Sequence, residues 1–317
     1  MRALSGVCRR SAQRAARWFA REISAERLSC ALRVQLIRST SGVVIVGMTA
    51  SACSPSQPPA QQTAAPAASA VPADTGGEGK QLSALAPATI ARMAATKPPF
   101  DLTGNWFIDV SQNPEAWRFG PPYPKLTAAS QVHWDAAKKA TAEGKVYRDD
   151  IGQCWPAGLP LIMTRYWPMA MVQIPSAIYM ISGFMNSVRI VYLDGRKHTE
   201  PDIIVRTYNG ESIGQWEGDA LVVDTVGFRG DHHWMDQGGV AIPAGEQLHI
   251  VERIRLINGG KQLEIEYTMT DPEHWEGEWK STKRFNRVDD EDIQEVSCLP
   301  DLNEHIRSTT SKTQILQ

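Results

Sequence analysis

From about residue 170 onward, apolar and polar residues alternate in short runs separated by turn-forming residues. The runs cover 171–174, 177–180, 187–193, 203–208, 221–226, 249–257, 262–270 and 279–286. A period of two sends successive side chains to opposite faces of a strand. β-Branched and aromatic residues enrich the same runs. Asp194-Gly195, Asn209-Gly210, Glu217-Gly218-Asp219 and Asn258-Gly259-Gly260 lie between them and supply turn chemistry. Eight or nine strands with almost no helix between them exclude a parallel βαβ sheet. The pattern predicts a mostly β domain, either a single antiparallel β-barrel or a sandwich, with a few short helices. Helical stretches are predicted near 127–143 and over 81–95.

The alternation also makes certain polar residues stand out. In the run 248–256, Leu248, Ile250, Glu252, Ile254 and Leu256 share one face, which is expected to face the core. An isolated buried carboxylate is costly, so Glu252 must be paired, hydrogen-bonded or protonated. It is either an ion-pair partner of a buried arginine such as Arg189 or Arg206, or a group poised for acid–base or ligand-orienting work. Asp224 shares a face with Val222 and Val226 and is read as a second inward carboxylate. Two such groups are the minimum for general acid–base chemistry or a hard-metal site. His232 and His233 lie in a loop with Asp231, Trp234 and Asp236, and loops on a rigid scaffold often carry function. His198 follows the Asp194-Gly195 turn, and His249 alternates onto the face opposite Glu252, expected to meet solvent. The catalytic candidates are therefore Glu252, Asp224, His198 and His233, against the alternatives of a structural ion pair and an idle exposed loop.

The motifs present and absent narrow the chemistry further. No H-x-x-x-H or H-x-H pair and no C-x-x-C occur, so no metal ligand set is assigned. S-x-x-K, phosphate-cradling and dinucleotide fingerprints are absent, and the one G-x-S-x-G match, Gly210-Glu211-Ser212-Ile213-Gly214, lies between strand runs without the strand–turn–helix context of a nucleophile elbow; no cofactor is expected. Met163, Arg165, Tyr166, Trp167, Pro168, Met169 and Met171 form an aromatic and thioether cluster, either core or an adaptable ligand wall. Trp167, Tyr208, Trp216 and Trp234 are the aromatic candidates for contacting a ligand.

Composition divides the chain. Residues 1–52 carry nine Arg, no Lys and two acidic residues, Glu22 and Glu26. The remainder holds 24 basic and 33 acidic residues, a net charge of −9. No basic stripe with interleaved aromatics survives in it, which argues against nucleic-acid binding. Residues 42–50 form an apolar run too short to span a bilayer, preceded by Arg33 and Arg38 and followed by small residues, the parts of a secretory signal. The basic stretch before it is longer than a normal n-region, which fits a true start near residues 33–35; a transit peptide is the other reading. Residues 53–80 are rich in Ala, Pro and Thr with no aromatic, a disordered tether. The expected organisation is a leader over 1–52, the tether over 53–80, a short helix and linker over 81–98, and the β domain over 99–317. Cys154 and Cys298 are the two cysteines of that domain. In an exported chain they are expected to form one disulfide, with two buried free thiols as the alternative.

Several short motifs resemble known families. Ala50-Ser51-Ala52-Cys53 resembles the lipobox of bacterial lipoproteins, which implies lipidation of Cys53; Ala50 departs from the usual Leu, Val or Ile. Cleavage by an ordinary signal peptidase after Ala52 is the alternative. Asp101-Leu-Thr-Gly104-Asn-Trp106 resembles the G-x-W that opens the first strand of lipocalins and other calycins, where the tryptophan closes the barrel floor. Tyr192-Leu-Asp-Gly-Arg-Lys-His198, Ser212-Ile-Gly-Gln-Trp-Glu-Gly-Asp-Ala-Leu-Val-Val-Asp-Thr-Val-Gly-Phe228 and Leu248-His-Ile-Val-Glu-Arg253 are similar to motifs of a large family of exported bacterial proteins without a secure activity. That resemblance covers roughly residues 100–300 and implies location and fold more than function. Where the family usually has tryptophan before the SIG motif, this chain has Tyr208.

Three functions follow as expectations. The first is an envelope-tethered calycin-like barrel, periplasmic and lipid-anchored to the outer membrane, that binds a small apolar or aromatic molecule. The second is a cofactor-free acid–base enzyme (isomerase, lyase or hydrolase-like) working inside the barrel. The third is a structural envelope lipoprotein. The only membrane contact implied is through the N-terminal lipid.

Overall fold

The structure is a computed structural model that describes residues 81–236 and 239–299. The expected leader and tether, Cys53 and residues 300–317 lie outside the described residues. Nine strands close a barrel: β1 (Gly104–Ile108), β2 (Met169–Ile174), β3 (Ala177–Ser182), β4 (Ser187–Tyr192), β5 (Glu211–Glu217), β6 (Ala220–Val226), β7 (His249–Ile257), β8 (Gln262–Thr270) and β9 (Trp279–Val288). Each is hydrogen-bonded to its neighbour in this series, and β1 closes the ring by pairing with both β9 and β2. The sandwich alternative is thereby set aside.

An odd number of strands cannot close with every pair antiparallel. The exception is β4–β5, which pair in parallel at Val191↔Ser212 and Tyr192↔Ile213. A parallel pair needs a connection that returns along the barrel. Residues 193–210 are that connection, which corrects the strand expected over 203–208. Ile203 and Val205 are 72% and 80% exposed, so the apolar run there is a crossover surface and not a half-buried strand.

Strand alternation elsewhere packs the interior. Ile250, Glu252 and Ile254 of β7 face inward with Leu263, Ile265, Tyr267 and Met269 of β8. Trp106 of β1 is completely buried, and its indole N–H donates to the Leu102 carbonyl at 2.9 Å. The Arg287 guanidinium covers its ring at 4.4 Å from the centroid. Among the described residues three α-helices lie outside the strands: α1 (Pro87–Met93), α2 (Ala128–Ala142) and α3 (Leu161–Thr164). The Thr127 side chain caps α2 by accepting from the Ser130 N–H. Cys154 and Cys298 form a disulfide, as expected, and join the chain's tail to the loop before α3.

Candidate functional site

The Tyr192–His198 motif builds one wall of a cavity. Gly195 has a left-handed φ of +78°, which lets the chain turn back at the end of β4. Arg196 then lies over the Tyr192 ring at 3.7 Å and donates from Nε to Asp194 at 2.8 Å. This locked turn presents Leu193 and Gly195 to a cavity of about 590 Å³. The opposite wall is the segment 93–101, and the ends of β2 and β5 complete the lining with Ile174 and Trp216. Phe100 and Trp216 meet edge-to-face at 4.9 Å between centroids. Gly214 forms part of the floor, where a Cβ would come within 2.7 Å of Leu193 Cδ2.

The polar groups lining this cavity are largely engaged. Gln173 accepts from the Leu102 N–H at 3.0 Å and donates to the Phe100 carbonyl at 3.1 Å, which fixes the 93–101 segment against β2. Asp101 accepts from the Thr103 N–H at 2.8 Å. Lys97 and Gln215 are exposed. What remains facing inward is aromatic, aliphatic and proline surface, and the volume lies in the range of ordinary small-molecule sites.

Of the four aromatic candidates, Trp216 alone lines this cavity. Trp167 packs on Phe184 and is 39% exposed. Trp234 is buried and donates its indole N–H to Asp150 at 2.6 Å. Tyr208 stands edge-on to His233 at 5.9 Å. Those three are tied to packing by their own neighbours.

Inside the barrel, Glu252 is an ion-pair partner. Arg189 of β4, 1% exposed, donates from Nη1 to Glu252 Oε1 at 3.0 Å and from Nη2 to the other carboxylate oxygen. Its Nε donates to Ser212 at 3.0 Å and Nη2 also donates to Thr225 at 3.1 Å. Tyr267 lies across from Glu252 in β8, and burial, then the Glu252 charge, push its hydroxyl pKa well above the ordinary value. Every donor of this guanidinium is spent on a fixed partner, so the arrangement serves as a buried structural tie.

Asp224 corrects the expectation of a second inward carboxylate. The buried residues of β6 include Leu221, Val223 and Thr225, so Asp224 lies on the outer face. Both faces of this strand are largely apolar, and a one-residue change of face inverts every assignment. Glu252 and Asp224 are therefore on opposite faces of the barrel wall, and interior acid–base chemistry through that pair is not built. Asp224 meets two histidines instead: His198 Nε2 is 3.2 Å and His249 Nε2 3.1 Å from its Oδ1. Glu211 adds a second carboxylate, 3.0 Å from His198 Nδ1, and also accepts from the Thr199 N–H and hydroxyl at 2.7 Å.

With a carboxylate at each ring nitrogen, His198 is arranged as an imidazolium donating twice. Burial alone lowers its pKa, but the bonds to Asp224 and Glu211 outweigh it and raise the net value. Burial likewise raises the Asp224 pKa, yet His198 and His249 hold it well below the ordinary carboxylate range. The cluster clamps the crossover to β5, β6 and β7. Sequence reasoning missed Glu211 and the role of His249; the outward alternation of His249 was the available signal.

His233 is likewise not in an exposed loop. It is 1% exposed, with Nδ1 3.1 Å from the Arg229 carbonyl and Nε2 2.9 Å from that of Leu159. Burial lowers its pKa to about 4 against the opposing pull of the two carbonyls, and the ring pins the two loops together. No family model and no curated protein sequence matches this chain.

Proposed function

We propose that this barrel is calycin-like and holds a small, uncharged, apolar or aromatic molecule in the cavity between the 93–101 segment and the ends of β2, β4 and β5. The observation that carries this reading is the lining: Phe100, Trp216, Leu193 and Ile174 face the space, while Gln173 and Asp101 are occupied by backbone partners. A ligand there gains by removing apolar surface from water and meets no buried charge to neutralise. Interior catalysis is disfavoured because Glu252 is committed to Arg189. The motifs around residues 192–253 and 42–53 support an exported, lipid-anchored protein of the bacterial envelope, tethered through Cys53 to the periplasmic side of the outer membrane.

The test is a titration of the purified chain with the neutral aromatic dye phenylnaphthylamine, read by fluorescence. Saturable binding at one site is expected. Trp216→Ala should weaken it about 30-fold, the cost of truncating an aromatic anchor, while Trp167→Ala leaves it unchanged. Absence of saturable binding, or indifference to Trp216→Ala, would refute the assignment.

A further inference from the structure

The turn after β8 brings together three groups that the cavity and the interior tie do not use. One carboxylate oxygen each of Asp271 and Glu273 and one ring nitrogen of His274 all lie within 4.8 Å of one another. Each has a distinct environment. Asp271 is completely buried, with Oδ2 accepting from the Gly245 N–H at 2.6 Å and Oδ1 from the Glu273 N–H at 3.2 Å. A second carboxylate, that of Glu273, stands beside it. Glu273 itself is exposed, and His274 is half-buried.

Two further observations point to a cation. The first is the orientation of His274, whose Nδ1 is 3.0 Å from the hydroxyl of fully buried Ser130 in α2. That contact leaves Nε2 as the nitrogen turned toward the carboxylates. The second is Gly245, whose backbone φ does not call for glycine. A Cβ there would lie 2.4 Å from Glu273 Oε2 and 3.0 Å from His274 Nε2, so both ligand groups stand against the bare glycine backbone. A buried carboxylate beside a second carboxylate is unfavourable without a cation or a proton to offset it.

We propose that Asp271, Glu273 and His274 form a binding site for one first-row divalent metal ion of the zinc class. Imidazole with carboxylates suits zinc and its neighbours, whereas calcium and magnesium favour oxygen alone. Three protein ligands leave a fourth position for water, on the side of exposed Glu273. Tetrahedral bonds near 2.0–2.1 Å put ligand atoms about 3.3 Å apart, so the group must contract slightly around the ion. The exposed Glu273 side chain is the one free to do so. Ser130 and the Gly245 N–H then act as the outer partners that hold the imidazole and the buried carboxylate in place. Such an ion would link β8, the loop at Gly245 and, through Ser130, the first turn of α2.

Isothermal titration of the chelator-stripped, purified full chain with Zn²⁺ tests this. One equivalent should bind, and Glu273→Gln and His274→Ala should each weaken it at least tenfold, while His249→Ala in the outer histidine cluster changes nothing. Thermal melts without zinc check that each variant remains folded; Glu273→Gln, at an exposed position, keeps the test valid if His274→Ala loosens the turn. The proposal is overturned if no saturable binding occurs, if both turn variants bind as tightly as the parent, if His249→Ala abolishes binding, or if Mg²⁺ or Ca²⁺ binds more tightly than Zn²⁺.

Discussion

Replacing Glu252 with glutamine should cost this barrel a large share of its stability. The substitution keeps the side-chain volume and one carbonyl oxygen but removes the negative charge that faces Arg189. Arg189 would retain the hydroxyls of Ser212 and Thr225, with the sulfurs of Met163 and Met180 at 4.0 and 3.8 Å. None of these carries a compensating charge, and at 1% exposure the guanidinium cannot turn to water. Leaving one partner of a buried pair uncompensated costs about 3–5 kcal/mol. For a domain near this size each kcal/mol lowers the melting temperature by roughly 2–4 °C, so a drop of about 6–20 °C is expected. Urea melts followed by tryptophan fluorescence and circular dichroism would measure it, with the dependence on denaturant unchanged. The double replacement Glu252→Leu with Arg189→Met should recover most of the loss, because apolar groups of similar volume need no counter-charge. A single-variant cost below about 1 kcal/mol, or a double variant no more stable than the single, would contradict the account of a desolvated pair. Phenylnaphthylamine binding should be preserved in Glu252→Gln below its melting temperature, since Glu252 does not line the cavity.

The outer histidine cluster has a pH signature. The net raised pKa of His198 means that its contribution is complete below the ordinary value of 6.5 and is lost as pH climbs through the folded value. Asp224 and Glu211 are lowered from 3.8 and 4.5, so theirs is present above those values and lost as pH falls through the folded ones. His198→Ala should therefore depress the melting temperature more at a pH of about 5.5 than at about 8.5; an equal or inverted effect would remove the imidazolium assignment. At the other end of the chain, Cys53 should be the lipidated N-terminus when the protein is made in a bacterium with a lipoprotein pathway. Intact-mass analysis of the membrane fraction checks this, and an unmodified chain in the soluble periplasm would rule it out.

How much of this was legible in the sequence depended on how strongly each strand distinguishes its faces. In β7, aliphatics on one face and His249, Arg253 and Arg255 on the other place Glu252 inside without ambiguity, and Arg189 was one of two partners that the chemistry suggested. In β6, Leu-Val-Val-Asp-Thr-Val is nearly as apolar on one face as on the other, so periodicity could not choose, and Asp224 came out on the histidine side. The crossover over 193–210 contains Ile203-Ile204-Val205, whose β composition mimics a strand. Parity of a nine-stranded closed ring, a property of the whole fold and of no local window, makes it a return segment. The cavity was the least legible feature. Trp216 sits in a recognisable motif, but Phe100, Leu193 and Ile174 are far apart in sequence and meet only once the barrel closes. Asp271, Glu273 and His274 follow neither a paired-histidine nor a paired-cysteine spacing, so no metal motif marks them in the sequence.

Occupancy of the cavity can be observed at the indole itself. Nuclear magnetic resonance of the chain, labelled at its tryptophan indole nitrogens and titrated with phenylnaphthylamine, reports on each ring separately. The account predicts that the Trp216 signal shifts progressively and saturates with the dye, while those of Trp167 and Trp234 stay in place. Movement of Trp167 or Trp234 with Trp216 unchanged would put the ligand elsewhere and contradict the central claim.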